Sequence, residues 1–198
     1  MTVWRVATSD MALEPAFRES LFKLVSIIYS TGFFTGSIAS WGGFVLVVAF
    51  LIGVIGACSG SSSAGISVFR AQITVAAVWA QVRQIANPSR IVPIKYDGRN
   101  VDDDVLNGVI LFVTGFILTI GVMTVAMTLL GVDMVSALFG VWTSIGNIGY
   151  GFGPLAARTG TFVDYPDAAK WIMTLAMLMG RLGLLALLVL VLPRFWRQ

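Results

Sequence analysis

The stretch LVSIIYSTGFFTGSIASWGGFVLVVAFLIGVIGACSGSSSAGISVF, from Leu24 to Phe69, contains 46 consecutive residues without Asp, Glu, Lys or Arg. A helix that crosses the hydrocarbon core of a bilayer needs only about 20 apolar residues. The run is therefore too long for one crossing, and its Gly- and Ser-rich parts are poor helix formers. Non-helical backbone is tolerated at membrane depth only where protein encloses it or where it lines water. The run predicts a re-entrant loop beside a pore.

The composition of the whole chain agrees with a membrane protein. Of its 198 residues, 57% are hydrophobic and 12% are charged, against about 25% charged residues in ordinary soluble domains. The chain has no His and a single Cys, which excludes Ser-His and Cys-His catalysis, His-ligated metals and an internal disulfide. A serine protease built on the Ser-rich segment would lack its base. We expect no enzymatic activity, no cofactor and no nucleic-acid partner.

The apolar segments predict helices in an order that occurs twice. Residues 1–104 are predicted to hold a pore helix (17–29), a filter loop (30–34), an inner helix (44–86) broken at 58–65, and a cytoplasmic loop (87–104). Residues 105–198 are predicted to hold an outer helix (105–132), a pore helix (134–145), a filter loop (146–152) and an inner helix (169–193). Residues 1–18, of mixed charge, are interpreted as an exposed lead-in that overlaps the start of the first pore helix, and Asp97-Gly98 is interpreted as a hairpin turn.

Two details of these segments can be tested against a structure. The first pore helix places Phe17, Leu21, Leu24, Val25 and Ile28 on one apolar face at helical spacing. The tryptophans near the ends of the apolar segments are expected at the membrane interfaces, as is common for this residue type. They are Trp41, Trp171 and Trp196.

The two Gly-containing loops have the composition of an ion filter. A cation that leaves water needs substitute oxygens, which a ring of backbone carbonyls supplies without a fixed charge. Turning successive carbonyls toward one axis requires positive φ, which Gly adopts at little cost. Ile148-Gly149-Tyr150-Gly151 differs from the Val-Gly-Tyr-Gly of potassium-channel filters by one methylene group. For either loop alone, a Gly-rich turn at the membrane surface is the alternative.

The loops also align with each other at an offset of 117 residues, which pairs Gly32 with Gly149. No outer helix precedes the first loop, so about one and a half repeats are expected. The predicted fold class is an all-α polytopic membrane protein, potassium-channel-like, with repeats of outer helix, pore helix, re-entrant filter loop and inner helix. The ion-binding candidates are Ser30, Thr31, Gly32, Phe33, Asn147, Ile148, Gly149 and Tyr150.

The basic residues favour an orientation in which the filters open outward. Seven lie in the segment 70–99 and at the C-terminus, against five in the segments on the loop side, and basic loops stay inside. The first group consists of Arg70, Arg83, Arg90, Lys95, Arg99, Arg194 and Arg197, and the second of Arg5, Arg18, Lys23, Arg158 and Lys170.

Arg181 is the one charged residue within the last apolar segment. A charge in a span costs about 2.5–3.5 kcal/mol on insertion scales, so it should face a partner or water. Arg181 follows Gly149 by 32 residues, as Ala64 follows Gly32, which puts Arg181 at the depth of the Ser-rich loop. There a guanidinium could donate to loop carbonyls and repel cations; alternatively, it snorkels to the inner interface. The gating candidates are Cys58, Ser59, Gly60, Ser61, Ser62, Ser63, Ala64, Gly65 and Arg181.

Taken together, these segments resemble the membrane subunits of the Trk/Ktr/HKT potassium transporters (the TrkH and KtrB group). The resemblance rests on STGF (30–33), GACSGSSSAGI (56–66), NPSRIVPIKYDGR (87–99), GNIGYGFGP (146–154) and the segment 169–197. It implies four repeats around one pore, of which this chain would supply the third filter and inner helix and the whole fourth repeat. It also implies a gate formed by the Ser-rich loop and Arg181. The chain departs from the family pattern at Ser30 (usually Thr), Tyr150 (often Pro), Ala64 (usually Gly) and Ser67 (usually basic).

The resemblance further implies a function and a set of partners. The expected function is potassium uptake across a bacterial inner membrane, with potassium as substrate and lipid around a multi-pass protein. The expected partners are a second copy or a complementing chain that supplies the missing repeats, and a cytosolic nucleotide-binding subunit of the TrkA/KtrA type on the basic segment. The alternative is a truncated or split-gene fragment that does not conduct alone and acts only within, or as a regulator of, a larger transporter. Two further repeats encoded upstream would favour a split transporter.

Overall fold

The computed structural model of the chain describes residues 1–9, 12–35, 41–58, 64–87, 93–156 and 159–183. This part of the chain is mainly helical, as the sequence predicts. The helices are α1 (Thr2–Ser9), α2 (Leu13–Ile28), α3 (Gly43–Ile55), α4 (Val68–Ala86), α5 (Asp103–Leu129), α6 (Met134–Ile145) and α7 (Asp167–Leu182). The strands are β1 (Lys95–Tyr96) and β2 (Arg99–Asn100).

Helix α5 is, among the described helices, the one long and apolar enough to cross a membrane. Its 27 residues span about 40 Å at 1.5 Å per residue. Asp103 and Asp104 lie in its first turn, where the helix dipole favours negative charge. At its end the N–H groups of Gly131 and Val132 donate to the carbonyls of Thr128 and Met127, and Gly131 has a φ of 85°. This glycine cap ends the helix and turns the chain back.

Helix α6 follows this turn at once and lies at the centre of the described fold. Asp133 caps its first turn, where its carboxylate accepts the Ser136 N–H at 3.0 Å. Its 12 residues reach about 18 Å, roughly half of a bilayer. The helix is buried on nearly every side, through Ser136, Ala137, Gly140, Val141, Trp142, Thr143, Ser144 and Ile145. Helices α5 and α7 share one apolar core with it, and α2 and α3 reach it from the other side through Ile27, Ala49 and Trp142.

Helices α3 and α4 are two pieces of the predicted inner helix, separated by a break. Helix α3 ends at Gly56, whose φ of 69° L-residues rarely adopt. Two hydrogen bonds join the sides of the break, from the Ile66 N–H to the Val54 carbonyl (3.0 Å) and from the Val68 N–H to the Ala57 carbonyl (3.2 Å). These bonds bring the end of α3 next to the start of α4.

The segment between α4 and α5 forms the predicted hairpin. Lys95 pairs with Asn100 and Tyr96 with Arg99 in an antiparallel register. Asp97 and Gly98 have φ values of 48° and 76°, the left-handed pair that a two-residue hairpin turn requires. The Tyr96 ring contacts the Phe69 ring edge-on, with centroids 4.8 Å apart, so the hairpin rests against α4.

The first 16 residues differ from the expected exposed lead-in. Helix α1 packs on α2, and α2 begins at Leu13 rather than at 17. The Glu14 and Arg18 side chains pair on the exposed side of the first two turns of α2, which supports the earlier start because such pairs stabilise helices. The last helix, predicted over 169–193, begins at Asp167, and its described part ends at Leu182.

The apolar face of α2 is not the face that it buries. Phe17, Leu21 and Val25 are 53%, 48% and 43% exposed. The buried positions are Ala16, Ser20, Lys23, Ser26 and Ile27. Small and polar residues favour close helix packing within a membrane, whereas large apolar side chains lose nothing by facing lipid.

Candidate ion filter and gate

The first filter loop starts with a defined backbone course at the end of α2. The N–H groups of Ser30 and Thr31 donate to the carbonyls of Ile27 (3.2 Å) and Ser26 (3.0 Å). Ser30 adopts a left-handed φ of 53° and Gly32 one of 71°. This is a helix cap with a left-handed residue directly after the last turn. It directs the chain away from the helix axis.

The second filter loop leaves α6 in the same way. The N–H groups of Asn147 and Ile148 donate to the carbonyls of Ser144 (3.0 Å) and Thr143 (2.9 Å). Asn147 and Gly149 have φ values of 51° and 81°. Each donor and each acceptor lies 117 residues after its counterpart in the first loop. The two predicted filter loops therefore share both hydrogen bonds and both left-handed positions.

The two loops are in direct backbone contact. A Cβ added to Gly32 would overlap the carbonyl oxygen of Ile148 and would lie 3.2 Å from its carbonyl carbon. Only a residue without a side chain fits here, for steric reasons as well as for its φ. The structure thus brings together Gly32 of one candidate set and Ile148 of the other.

The corresponding side of the second loop is open. Within the described part of the chain, no heavy atom lies within 4 Å of the position that a Cβ on Gly149 would occupy. Gly32 is covered by a neighbouring carbonyl, and Gly149, its equivalent, is not. The arrangement leaves room for another backbone segment against Gly149.

Aromatic rings pack around the outer part of both loops. The Phe34 and Tyr150 rings have centroids 3.8 Å apart, and the buried Phe152 ring lies 5.0 Å from Tyr150 and 5.7 Å from Phe34. Phe33, predicted as a filter residue, has a side chain that is 71% exposed, so only its backbone can belong to a filter. The ring that joins the loops is the next one along the chain, Phe34.

The return segment of the second loop is fixed to the start of α6 at Ser136. The Leu155 N–H donates to the Ser136 hydroxyl (3.2 Å), and the Tyr165 hydroxyl donates to the Ser136 carbonyl (3.1 Å). Burial raises the pKa of the Tyr165 phenol, so it stays protonated and remains a donor. A Cβ on Gly153 would lie 2.8 Å from the Ser136 Cα. These contacts hold the outer end of the loop close to α6.

Helix α7 packs against the inner end of α6, directly beside the second loop. A Cβ on Gly180 would overlap the Ile145 carbonyl and lie 2.7 Å from the Asn147 amide nitrogen. That amide also donates to the Met177 carbonyl at 3.3 Å. Arg181 follows Gly180 in the last described turn and is exposed. The predicted gating arginine therefore lies one residue from the contact between α7 and α6.

Only part of the predicted gating loop can be located. Ser59, Gly60, Ser61, Ser62 and Ser63 lie outside the described residues, Cys58 is exposed, and Ala64 is partly buried. Gly65, at the far end of the loop, borders a cavity of about 20 Å³, enough to hold one water molecule. Ile145, Gly180 and Gly183 line the same cavity. One end of the loop thus reaches the residues that flank Arg181.

A buried charge cluster that the sequence pattern did not predict lies beside α2. Lys23 is completely buried, and its Nζ lies 2.7 Å from one carboxylate oxygen of Glu19. The other carboxylate oxygen of Glu19 lies 3.8 Å from the Arg5 Nε. Trp41 is 2% exposed and packs under the Lys23 and Arg5 side chains. Two signals were available: Glu19 and Lys23 are four residues apart, and Lys23 lies off the apolar face.

Within the described ranges, no group of three or more Cys, Asp or Glu side chains could hold a metal ion.

The sequence of the chain matches a known protein family and several of its members. The family model described as TrkH, cation transport protein, matches residues 5–197. The chain is 36% identical to the Trk system potassium uptake protein TrkI of Halomonas elongata, over 100% of this chain and 40% of that protein. It is 33% identical to the Trk system potassium uptake protein TrkH of Escherichia coli K12, over 91% of this chain and 37% of that protein.

A solved structure matches with similar extent. The crystal structure of the potassium transporter TrkH from Vibrio parahaemolyticus superposes with a TM-score of 0.89 at 30% identity. The match covers 98% of this chain and 41% of the transporter. The chain thus spans about two fifths of the length of the relatives that it matches.

Proposed function

Because the chain belongs to the TrkH family of cation transport proteins, as its motifs predicted, we propose that it supplies filter and gate elements of a potassium uptake system. The observation that carries the proposal is the contact between the two loops. Gly32 lies against the Ile148 carbonyl, and both loops repeat the same hydrogen bonds and left-handed residues. The curated relatives are named Trk system potassium uptake proteins rather than enzymes.

The ion path runs along the carbonyls of the two loops. Ser30 and Gly32 in the first loop, and Asn147 and Gly149 in the second, alternate left-handed with ordinary backbone. Such alternation lets successive carbonyls face one side, where they replace the water around a dehydrated potassium ion. Helices α2 and α6 both end where their loops begin, so the partial negative charge at each C-terminus also favours a cation.

The filter is completed by further loops of the same kind. Gly149 is open on the side where Gly32 has its neighbour, and a third loop would place a carbonyl there. Four loops around one axis, two of them from this chain, form the pore. The other two come from a second copy or from a complementing chain. A role as a fragment that does not conduct alone is the second candidate, which the open side of Gly149 favours.

The gate lies below the filter, at the level of the cavity between Gly65 and Gly180. Arg181 follows the contact of Gly180 with the Ile145 carbonyl, and the Ser-rich loop ends at the same cavity. A guanidinium that donates to carbonyls of this loop closes the path and repels cations until the loop moves. Snorkelling of Arg181 to the inner interface predicts no such closure.

The orientation and partners follow from charge. Helix α5 is long enough to cross the bilayer, in a multi-pass protein of the bacterial inner membrane with the filters facing outward. The basic segment 70–99, which covers most of α4 and of the hairpin, faces the cytosol. It is the natural contact for a nucleotide-binding regulatory subunit.

Growth of a potassium-uptake-deficient host on limiting potassium tests the proposal. The chain is expressed alone, and then with any transporter reading frame that adjoins it in its genome. Growth in the second setting only supports a chain that works within a larger transporter. Failure in both settings, with the protein present in the membrane fraction, overturns the proposed function.

A further inference from the structure

We propose that Lys23 is a positioning residue for the first filter loop, because the helix face that carries it holds both the start of the loop and Trp41, which follows the loop in the chain. The inference rests on the proposed filter function and deepens it, because it names a residue outside the loops that sets ion discrimination. Its basis is the cluster formed by Arg5, Glu19, Lys23 and Trp41. These residues come from α1, from α2 and from the chain directly before α3.

The Lys23 side chain is enclosed on all sides. Its side chain is 1% exposed, its Nζ lies 2.7 Å from a Glu19 carboxylate oxygen, and it lies 4.0 Å from the centroid of the Trp41 ring. A buried ammonium is costly unless it is paired and bonded. Glu19 supplies the counter-charge, and the aromatic face supplies a second favourable contact. The lysine is therefore held in one place by two independent contacts.

Trp41 is held as firmly as Lys23. The Arg5 guanidinium lies 4.7 Å from the centroid of the same ring, and the Trp4 indole N–H donates to the Trp41 carbonyl at 2.9 Å. Both the ring and the backbone of this residue are thus fixed. Two cations share one aromatic ring and one carboxylate, because Glu19 also lies 3.8 Å from Arg5.

The position of Trp41 in the chain links this cluster to the filter. The first filter loop (30–34) follows α2, and Trp41 lies seven residues after the last residue of the loop. The start of the loop is fixed at Thr31, whose hydroxyl donates to the Ser26 hydroxyl at 3.0 Å. Trp41 lies over Lys23. Because Ser26 and Lys23 lie on the same buried face of α2, one helix face holds both the start of the loop and Trp41, which follows the loop in the chain.

A matched pair of variants separates this role from general stability. Lys23→Met keeps the apolar stem and leaves Glu19 beside Arg5, whereas Arg18→Met removes a basic residue from the exposed Glu14–Arg18 pair of the same helix. The measurement is the ratio of potassium to sodium uptake at a matched amount of protein in the membrane. We expect Lys23→Met to lower the ratio by about tenfold, which corresponds to about 1.4 kcal/mol, and Arg18→Met to leave it unchanged. In Lys23→Arg, which retains the charge over the ring, we expect the logarithm of the ratio to fall by no more than half as much as in Lys23→Met.

The outcomes distinguish this inference from the proposed function. If the unmodified protein takes up no potassium with any partner chain, the proposed function fails first. If it takes up potassium selectively and Lys23→Met has the same ratio, the inference is overturned. Should Lys23→Met not reach the membrane, Trp41→Phe provides the second measurement, because it weakens the cation–π contact and retains an apolar ring. An unchanged ratio in Trp41→Phe overturns the inference equally.

Discussion

Replacing Gly32 by alanine should disable the filter for two reasons, which are backbone strain and steric overlap. The residue has a φ of 71°, and a left-handed conformation costs an alanine roughly 1–2 kcal/mol. The new methyl group would also overlap the Ile148 carbonyl oxygen, which is backbone and cannot rotate away. The carbonyl would have to move by more than the few tenths of an ångström by which packed backbone can shift. Displacement of one carbonyl removes one substitute for water around the ion.

We expect Gly32→Ala to reduce potassium uptake at least about tenfold, equivalent to about 1.4 kcal/mol, and to reduce discrimination against sodium. Uptake of potassium and sodium is measured in the complemented host or in proteoliposomes, normalised to protein in the membrane. Gly108→Ala is the matched control, because it makes the same chemical change in α5 with no atom within 4 Å of the new Cβ among the described residues. It should leave uptake unchanged.

Gly149→Ala turns this comparison into a test of the assembled pore. Its φ of 81° imposes the same backbone strain as at Gly32, but the described chain offers no atom for its methyl group to meet. If a further loop covers this side, as proposed, Gly149→Ala should be as severe as Gly32→Ala. If no loop lies there, only the backbone strain acts, and Gly149→Ala should reduce uptake less than Gly32→Ala. Normal uptake and selectivity in Gly32→Ala would refute the reasoning for both loops.

Three further predictions concern the gate and the packing of α6. Arg181→Ala should raise potassium flux if the guanidinium closes the pore, measured as uptake at matched expression; unchanged flux favours snorkelling. Tyr165→Phe removes the donor to the buried Ser136 carbonyl and should lower the stability of the purified protein by roughly 1 kcal/mol, visible as a lower thermal midpoint; an unchanged midpoint would show that this bond contributes nothing. Asp133→Ala removes the cap of α6 and should lower the stability by about 1 kcal/mol in the same assay, whereas Asp133→Asn, which can still cap the helix, should retain most of the stability.

Local signals in the sequence were sufficient for several structural features. The apolar runs 105–132 and 134–145 predicted α5 and α6, although α5 ends at Leu129, before the capping Gly131. Asp97-Gly98 predicted the hairpin, since the left-handed pair of residues decides the turn. The glycines of the two loops were conspicuous because few other residues tolerate their φ values.

The buried side of α2 could not be predicted in the same way. Periodicity shows that two faces of a helix differ, but in a bilayer the larger apolar face has lipid as an alternative to protein. Phe17 and Leu21 therefore lie exposed, while Lys23 lies buried. The burial of Lys23 depends on Arg5 and Trp41, which are 18 residues away on either side, and such distant partners leave no local trace. The same holds for the contact of Gly32 with Ile148.

The hydrogen bond from the Asn147 amide to the Met177 carbonyl has a mechanical consequence. Asn147 belongs to the loop that leaves α6, and Met177 belongs to α7. One turn after Met177, Gly180 lies in close contact with the Ile145 carbonyl of α6. A tilt of α7 that moves Arg181 would therefore pull on the same residue that sets the course of the second loop. Thermodynamic linkage makes such an effect reciprocal: the ion that occupies the loops would alter the work needed to tilt α7. Selection of the ion and control of its passage would then be one coupled equilibrium.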